Sequence, residues 1–290
     1  MTGRIWARVA GLALAMVLSG CSAAGFLNTV TSRSGYETVR DVRYAPGARG
    51  TLDLYVPAGA TAETPLVVFV YGGSWDSGSK DLYRFVGQSL ASDGFIVAVP
   101  DYRVYPEVIF PRFVEDGARA VAAVEKLARK GGEGIPAGRH KLALMGHSAG
   151  AEIAALLAFD ARYLEAAGSS ASHVSAFVGL AGPYDFLPLT EERYKRIFPP
   201  AVRAASQPVN FVSGNEAPAL LVAGLDDTTV NPENTRSMAR AIRAAGGRVE
   251  EMLLPDIDHI GAVSSLATAL PLGDRSLRRT VLTFLEEHTR

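Results

Sequence analysis

Apolar and polar positions along this chain fall into two alternating rhythms. Apolar runs at 66–71 and 95–99 predict buried strands, and the mainly apolar stretches 141–145, 174–180 and 219–223 predict further strands. A further strand is predicted at 249–254, and 38–44 with 51–56 read as two strands joined through Pro46-Gly47. Between these runs the apolar residues change to helical spacing. Val114, Ala118, Val121, Val124 and Leu127 mark a helix over 113–130, which the glycine-rich 131–134 ends. Helices are also predicted over 82–91, 149–159, 233–245 and 275–287. Strand and helix in alternation specify an α/β fold, with a mostly parallel central sheet and helices on both faces.

One stretch breaks the alternation. Residues 183–216 carry several prolines with Tyr184, Phe186, Tyr194 and Phe198, and read as a small cap inserted over the site face. Composition adds little. Hydrophobic residues make up 48% and charged residues 20% of the 290, enough to bury one large core. The net charge of −1, without a basic stripe, gives no reason to expect a nucleic-acid partner. A single cysteine excludes an internal disulfide and a Cys-rich zinc site.

That cysteine falls at an informative place. Arg4 and Arg8 precede an apolar run from Val9 to Leu18, short for a membrane span but suited to a signal peptide. The run ends Leu18-Ser19-Gly20-Cys21, which resembles the lipobox of bacterial lipoproteins. The resemblance implies a signal peptide over 1–20, lipidation at Cys21 and anchorage to a membrane in the cell envelope. Ser22 after the cysteine implies the outer membrane, facing the periplasm. Residues 21–35 then read as a tether, with the α/β domain over 36–290.

The candidate chemistry begins at Gly146-His147-Ser148-Ala149-Gly150. This G-x-S-x-G pattern stands where a strand runs straight into a helix, the setting of a nucleophile elbow. The turn there is tight enough that a Cβ would collide with neighbouring chain, and the helix N-terminus favours developing negative charge. Upstream, Tyr71-Gly72-Gly73-Ser74-Trp75 follows a buried strand. It is similar to the His-Gly-Gly-x-Trp loop of hormone-sensitive-lipase-like carboxylesterases and kynurenine formamidases, members of the α/β-hydrolase fold. By that resemblance the backbone N–H groups of Gly73, Ser74 and Ala149, with Gly72 a further possibility, form an oxyanion hole. Tyr71 departs from the family's His, so another hydrogen bond must order the loop. Asp101-Tyr102-Arg103, Pro106-Glu107, Phe110-Pro111 and Glu115-Asp116 also match a segment of that family, with Arg103 and Asp116 expected to pair.

The fold sets the order Ser, acid, His. His259 follows the 249–254 strand, whereas His173 precedes any acid strand and His288 sits near the end of the chain. The acid lies in Gly224-Leu225-Asp226-Asp227-Thr228-Thr229-Val230, where the family's G-x-x-D-x-x-V selects Asp227 and adjacent Asp226 stays open. Asp185 reads as a turn or cap-anchoring residue. The resemblance implies a serine carboxylesterase acting on an uncharged short- or medium-chain or aryl ester, with no cofactor and no metal. Amidase, formamidase or peptidase chemistry at the same residues, or a non-catalytic envelope protein, are the alternatives.

Overall fold

The structure, a computed structural model, describes residues 20–270 and 273–290. The expected signal peptide over 1–20 therefore lies outside the described residues except for Gly20. The described chain opens with a helix, α1 (Gly20–Val30), followed by strands β1 (Tyr36–Arg43), β2 (Thr51–Pro57) and β3 (Leu66–Val70). Then come α2 (Arg84–Ala91), β4 (Ile96–Pro100), α3 (Arg112–Lys130), β5 (Leu142–His147), α4 (Ala149–Phe159) and α5 (Ala161–Ala166). The remainder is β6 (Val174–Leu180), α6 (Glu192–Ile197), β7 (Ala219–Gly224), α7 (Glu233–Ala244), β8 (Val249–Leu254), α8 (Gly261–Ser264) and α9 (Arg275–Thr289).

The eight strands form one sheet in the order β1-β2-β4-β3-β5-β6-β7-β8. β2 runs antiparallel to both β1 and β4, and every other pairing is parallel. This is the α/β-hydrolase fold expected from the antiparallel start and the βα repeats. Strands β2 to β7 are buried almost throughout, as their apolar runs require. α4 and α9 both pack on β5 and β6. α3 packs closely on α4: a Cβ added at Gly117 would lie 3.1 Å from Ile153 Cγ2.

The N-terminal stretch corrects one expectation. Residues 21–35 read as a tether, yet Gly20–Val30 is helical and docked. Leu27 is 1% exposed in the core. Asn28 Oδ1 accepts from the backbone N–H of Phe85 at the start of α2, and its Nδ2 donates to the Asp81 carbonyl. A small, polar composition hides this, because two side chains do the docking while Phe26 and Val30 face outward. The sheet's carboxyl edge, where the β3, β5, β7 and β8 turns meet, is the part that matters for function.

Candidate active site

Ser148 sits in the turn between β5 and α4 at φ 55° and ψ −128°. A non-glycine residue there is strained, and persists only where surrounding contacts hold it. The contacts are close: a Cβ on Gly150 would come within 2.1 Å of the Val70 carbonyl oxygen. The Ser148 N–H donates to the Leu180 carbonyl on β6, and its side chain makes no capping bond to the helix. Its Oγ is thus left for another partner.

That partner is His259. Its Nε2 accepts from Ser148 Oγ at 2.9 Å, and its Nδ1–H donates to Asp227 Oδ2 at 2.7 Å. The other carboxylate oxygen of Asp227 accepts the N–H groups of Thr229 and Val230, both at 2.8 Å. Burial pushes the Asp227 carboxyl upward, but the bond from His259 and those two N–H groups outweigh it, and its pKa lies below the usual carboxylate value. The residues are 111 and 32 positions apart in sequence, and the turns after β5, β7 and β8 bring them together. Asp226 is exposed and turned away. His173 pairs with Glu125, and His288 packs on Phe284. Asp185 accepts from Ser237 on α7.

The loop after β3 stands against the nucleophile. A Cβ on Gly72 would fall 2.8 Å from Ser148 Cβ, so only glycine lets the loop approach this far. Among the described residues, the N–H groups of Gly73, Ser74 and Ala149 have no acceptor. Ser74 and Trp75 take left-handed φ values of 51° and 60°. Tyr71 orders the loop from behind: its hydroxyl donates to Asp101 Oδ1 at 2.6 Å, and Tyr102 Oη donates to the Tyr71 carbonyl at 2.9 Å. Arg49 adds a bond to the Gly78 carbonyl. Arg103 and Asp116 form the expected pair, through Nε to Oδ2 at 2.9 Å and Nη2 to Oδ1 at 2.8 Å.

Three features escaped the sequence reading. His147, inside the elbow, is buried; its Nε2–H donates to the His259 carbonyl at 3.0 Å. Burial and the neighbouring His259 ring bring its pKa down to about 3, so it is neutral. Glu152, on α4, accepts from Trp75 Nε1 at 3.1 Å. Arg193 on α6 pairs with Asp76 of the loop at 2.8 Å. The one available signal was Glu152, a lone charge in the otherwise apolar Ala149–Phe159 helix. The segment read as a cap does cover the site. A cavity of about 180 Å³ lies between Ser74, Trp75 and Ser148 on one side and Phe186, Leu189 and Tyr194 on the other. Exposed Glu250 and Glu287 group with half-buried His288, with their side-chain N and O atoms within 4.8 Å of one another.

The chain is similar to known proteins in sequence and in fold. The BD-FAE family profile matches residues 52–242. An isoprenylcysteine alpha-carbonyl methylesterase of Arabidopsis thaliana is 29% identical over 81% of this chain and 60% of its own length. A kynurenine formamidase of Danio rerio is 26% identical over 82% of this chain and 80% of its own. Esterase B from Lactobacillus rhamnosis, solved with a tributyrin phosphonate, superposes with a TM-score of 0.76 at 20% identity, covering 99% of this chain and 95% of that one. The chain spans 50% to 60% of the length of the Arabidopsis methylesterases it matches.

Proposed function

The chain belongs to the BD-FAE family, and from that premise we propose that it is a serine carboxylesterase working through Ser148, His259 and Asp227. One observation carries the reading: the unbroken hydrogen-bonded path from Ser148 Oγ through His259 to Asp227, beside a loop with unengaged N–H groups. His259 takes the hydroxyl proton as Oγ attacks the ester carbonyl. Asp227 holds the ring in the tautomer with Nδ1 protonated and stabilises the imidazolium. The N–H groups of Gly73, Ser74 and Ala149 receive the oxyanion. His259 then protonates the departing alcohol, and a water activated by the same ring releases the acyl group. Esterase names among relatives and structural neighbours support this reaction class.

The cavity favours an uncharged, short acyl group. Its volume is below the roughly 300–1,000 Å³ of sites for drug-sized ligands, and Phe186, Leu189, Tyr194 and Val230 line it. The test is turnover of nitrophenyl esters of increasing acyl length beside Ser148→Ala. Acetyl to butyryl esters should lead, and the variant should lose about four to six orders of magnitude in kcat. A fluorophosphonate probe should label Ser148. A folded wild-type chain that neither turns over an ester nor takes the probe ends the proposal.

The Danio rerio relative favours a second reading, hydrolysis of a formylated amine at the same residues. Comparing kcat/KM for aryl esters and N-formyl arylamines separates the two. We further propose that Cys21 carries lipid and anchors the protein in the cell envelope, at the outer membrane facing the periplasm. Palmitate labelling abolished by Cys21→Ser, with the outer-membrane fraction losing the protein, is the expected result.

A further inference from the structure

Glu152 is fully buried in the first turn of α4, four residues after Ser148, which directly precedes that helix. No cation pairs with it among the described residues. Its Oε2 accepts the indole N–H of Trp75, and its Oε1 has no hydrogen-bond partner. Burial pushes its pKa well above the usual carboxylate value. A buried polar group costs stability unless it is used, and this one has a single use.

Trp75 is the residue through which that use reaches the reaction. It directly follows Ser74, whose N–H is one of the unengaged donors, and both residues hold left-handed φ values that their surroundings must enforce. The rest of the indole is fixed by rings: Phe198 at 4.8 Å, Phe186 and Tyr194 at 5.7 Å and Phe113 at 6.5 Å between centroids. The Trp75 carbonyl accepts the Tyr105 N–H at 2.8 Å. Among the described residues, only the indole N–H ties this assembly by a directional bond to the helix that follows the nucleophile.

We propose that Glu152 is a positioning residue for the oxyanion loop, holding Trp75, and with it the Ser74 N–H, in register with Ser148. It rests on the hydrolase reading above. The carboxyl acts as an acceptor and its ionisation plays no part. Glu152→Gln, whose amide oxygen can accept the same bond, therefore retains kcat within about threefold. Glu152→Met, unbranched and of similar bulk but without the acceptor, should lower kcat by about 10- to 100-fold with KM little changed; removing an oxyanion donor outright costs about 10²–10³. Fluorophosphonate labelling of Ser148 should slow in parallel. Glu152→Met combined with Trp75→Phe should be no worse than the poorer single variant, as expected of two residues acting as a pair.

A readout independent of turnover comes from the indole itself. The chain has two tryptophans, Trp6 and Trp75, so the Trp75 indole ¹⁵N–¹H resonance is assigned by its loss in Trp75→Phe. It should stay in place in Glu152→Gln and move upfield in Glu152→Met. A Glu152→Met chain with wild-type kcat, or an unmoved indole resonance in it, overturns the proposal; so does a Gln variant as damaged as the Met variant. An active wild type alongside an undamaged Glu152→Met removes this proposal alone, whereas a wild type inert to esters and probe removes the hydrolase reading itself.

Discussion

Two turns at the carboxyl edge of neighbouring strands build this site in opposite ways. The elbow after β5 is held by backbone: its chain passes so close to β3 that glycine alone fits at position 150. The loop after β3 is held by side chains drawn from distant parts of the molecule. Asp101 anchors Tyr71, Glu152 anchors Trp75, and Arg193 reaches Asp76 from the cap. The elbow should therefore tolerate almost no change of size, while the loop tolerates change graded by which anchor is lost.

Gly150→Val tests the rigid half and should have the largest effect. Its Cβ would lie 2.1 Å from the Val70 oxygen, so strand and helix must separate. A loss of more than about 4 kcal/mol, or failure to fold, is expected by chemical denaturation; a mild effect would erase the contrast. Tyr71→Phe tests the loop. It removes a hydrogen bond to a carboxylate, costing about 1.5–3 kcal/mol, with kcat down roughly tenfold and the fold intact in circular dichroism.

Acid titration sharpens the contrast further, because a buried titratable group with a displaced pKa stands beside each half. His147 in the elbow has its pKa brought down to about 3 in the fold against an ordinary 6.5. Between those values the unfolded chain binds a proton that the folded chain refuses, so His147 makes stability fall as pH drops from about 6.5 towards 3. Glu152 behind the loop has the opposite sign. Its raised pKa means that above about 4.5 the unfolded chain releases a proton that the folded chain keeps, which lowers stability at neutral pH. His147→Gln should flatten the acid slope of Tm, and Glu152→Gln should raise Tm at pH 7–8, with the gain shrinking towards pH 4. The smallest effect belongs to Arg193→Ala. Its pair with Asp76 is partly exposed, so at most about 1 kcal/mol is at stake, read as a change in KM of a few fold.

The same contrast explains what the sequence discloses. Backbone-held structure writes itself into composition. Gly146, Gly150, Gly72 and Gly73 stand where the chain has no room or must turn, and the buried strands read as mainly apolar runs. Ser148, His259 and Asp227 were traceable because fold order and two short patterns constrain them. Side-chain anchors leave no such trace. Glu152 and Trp75 are 77 residues apart, and Tyr71 and Asp101 are 30 apart, with no periodicity to link them. Helix α1 was missed for a related reason. Its Ser-Ala-Ala-Gly stretch has the composition of a linker, while Leu27 and Asn28 attach it.

That attachment bears on how this protein is handled at the bench. A shortened version starting after Thr31 would uncover the seat of Leu27 and strip the Asn28 carbonyl from the first turn of α2, whose Phe85 amide would then need water. By the same logic, a protease clipping between Gly20 and Val30 would loosen those same contacts. The stretch that resembles packaging is a structural part of the folded domain, and expression boundaries belong upstream of it.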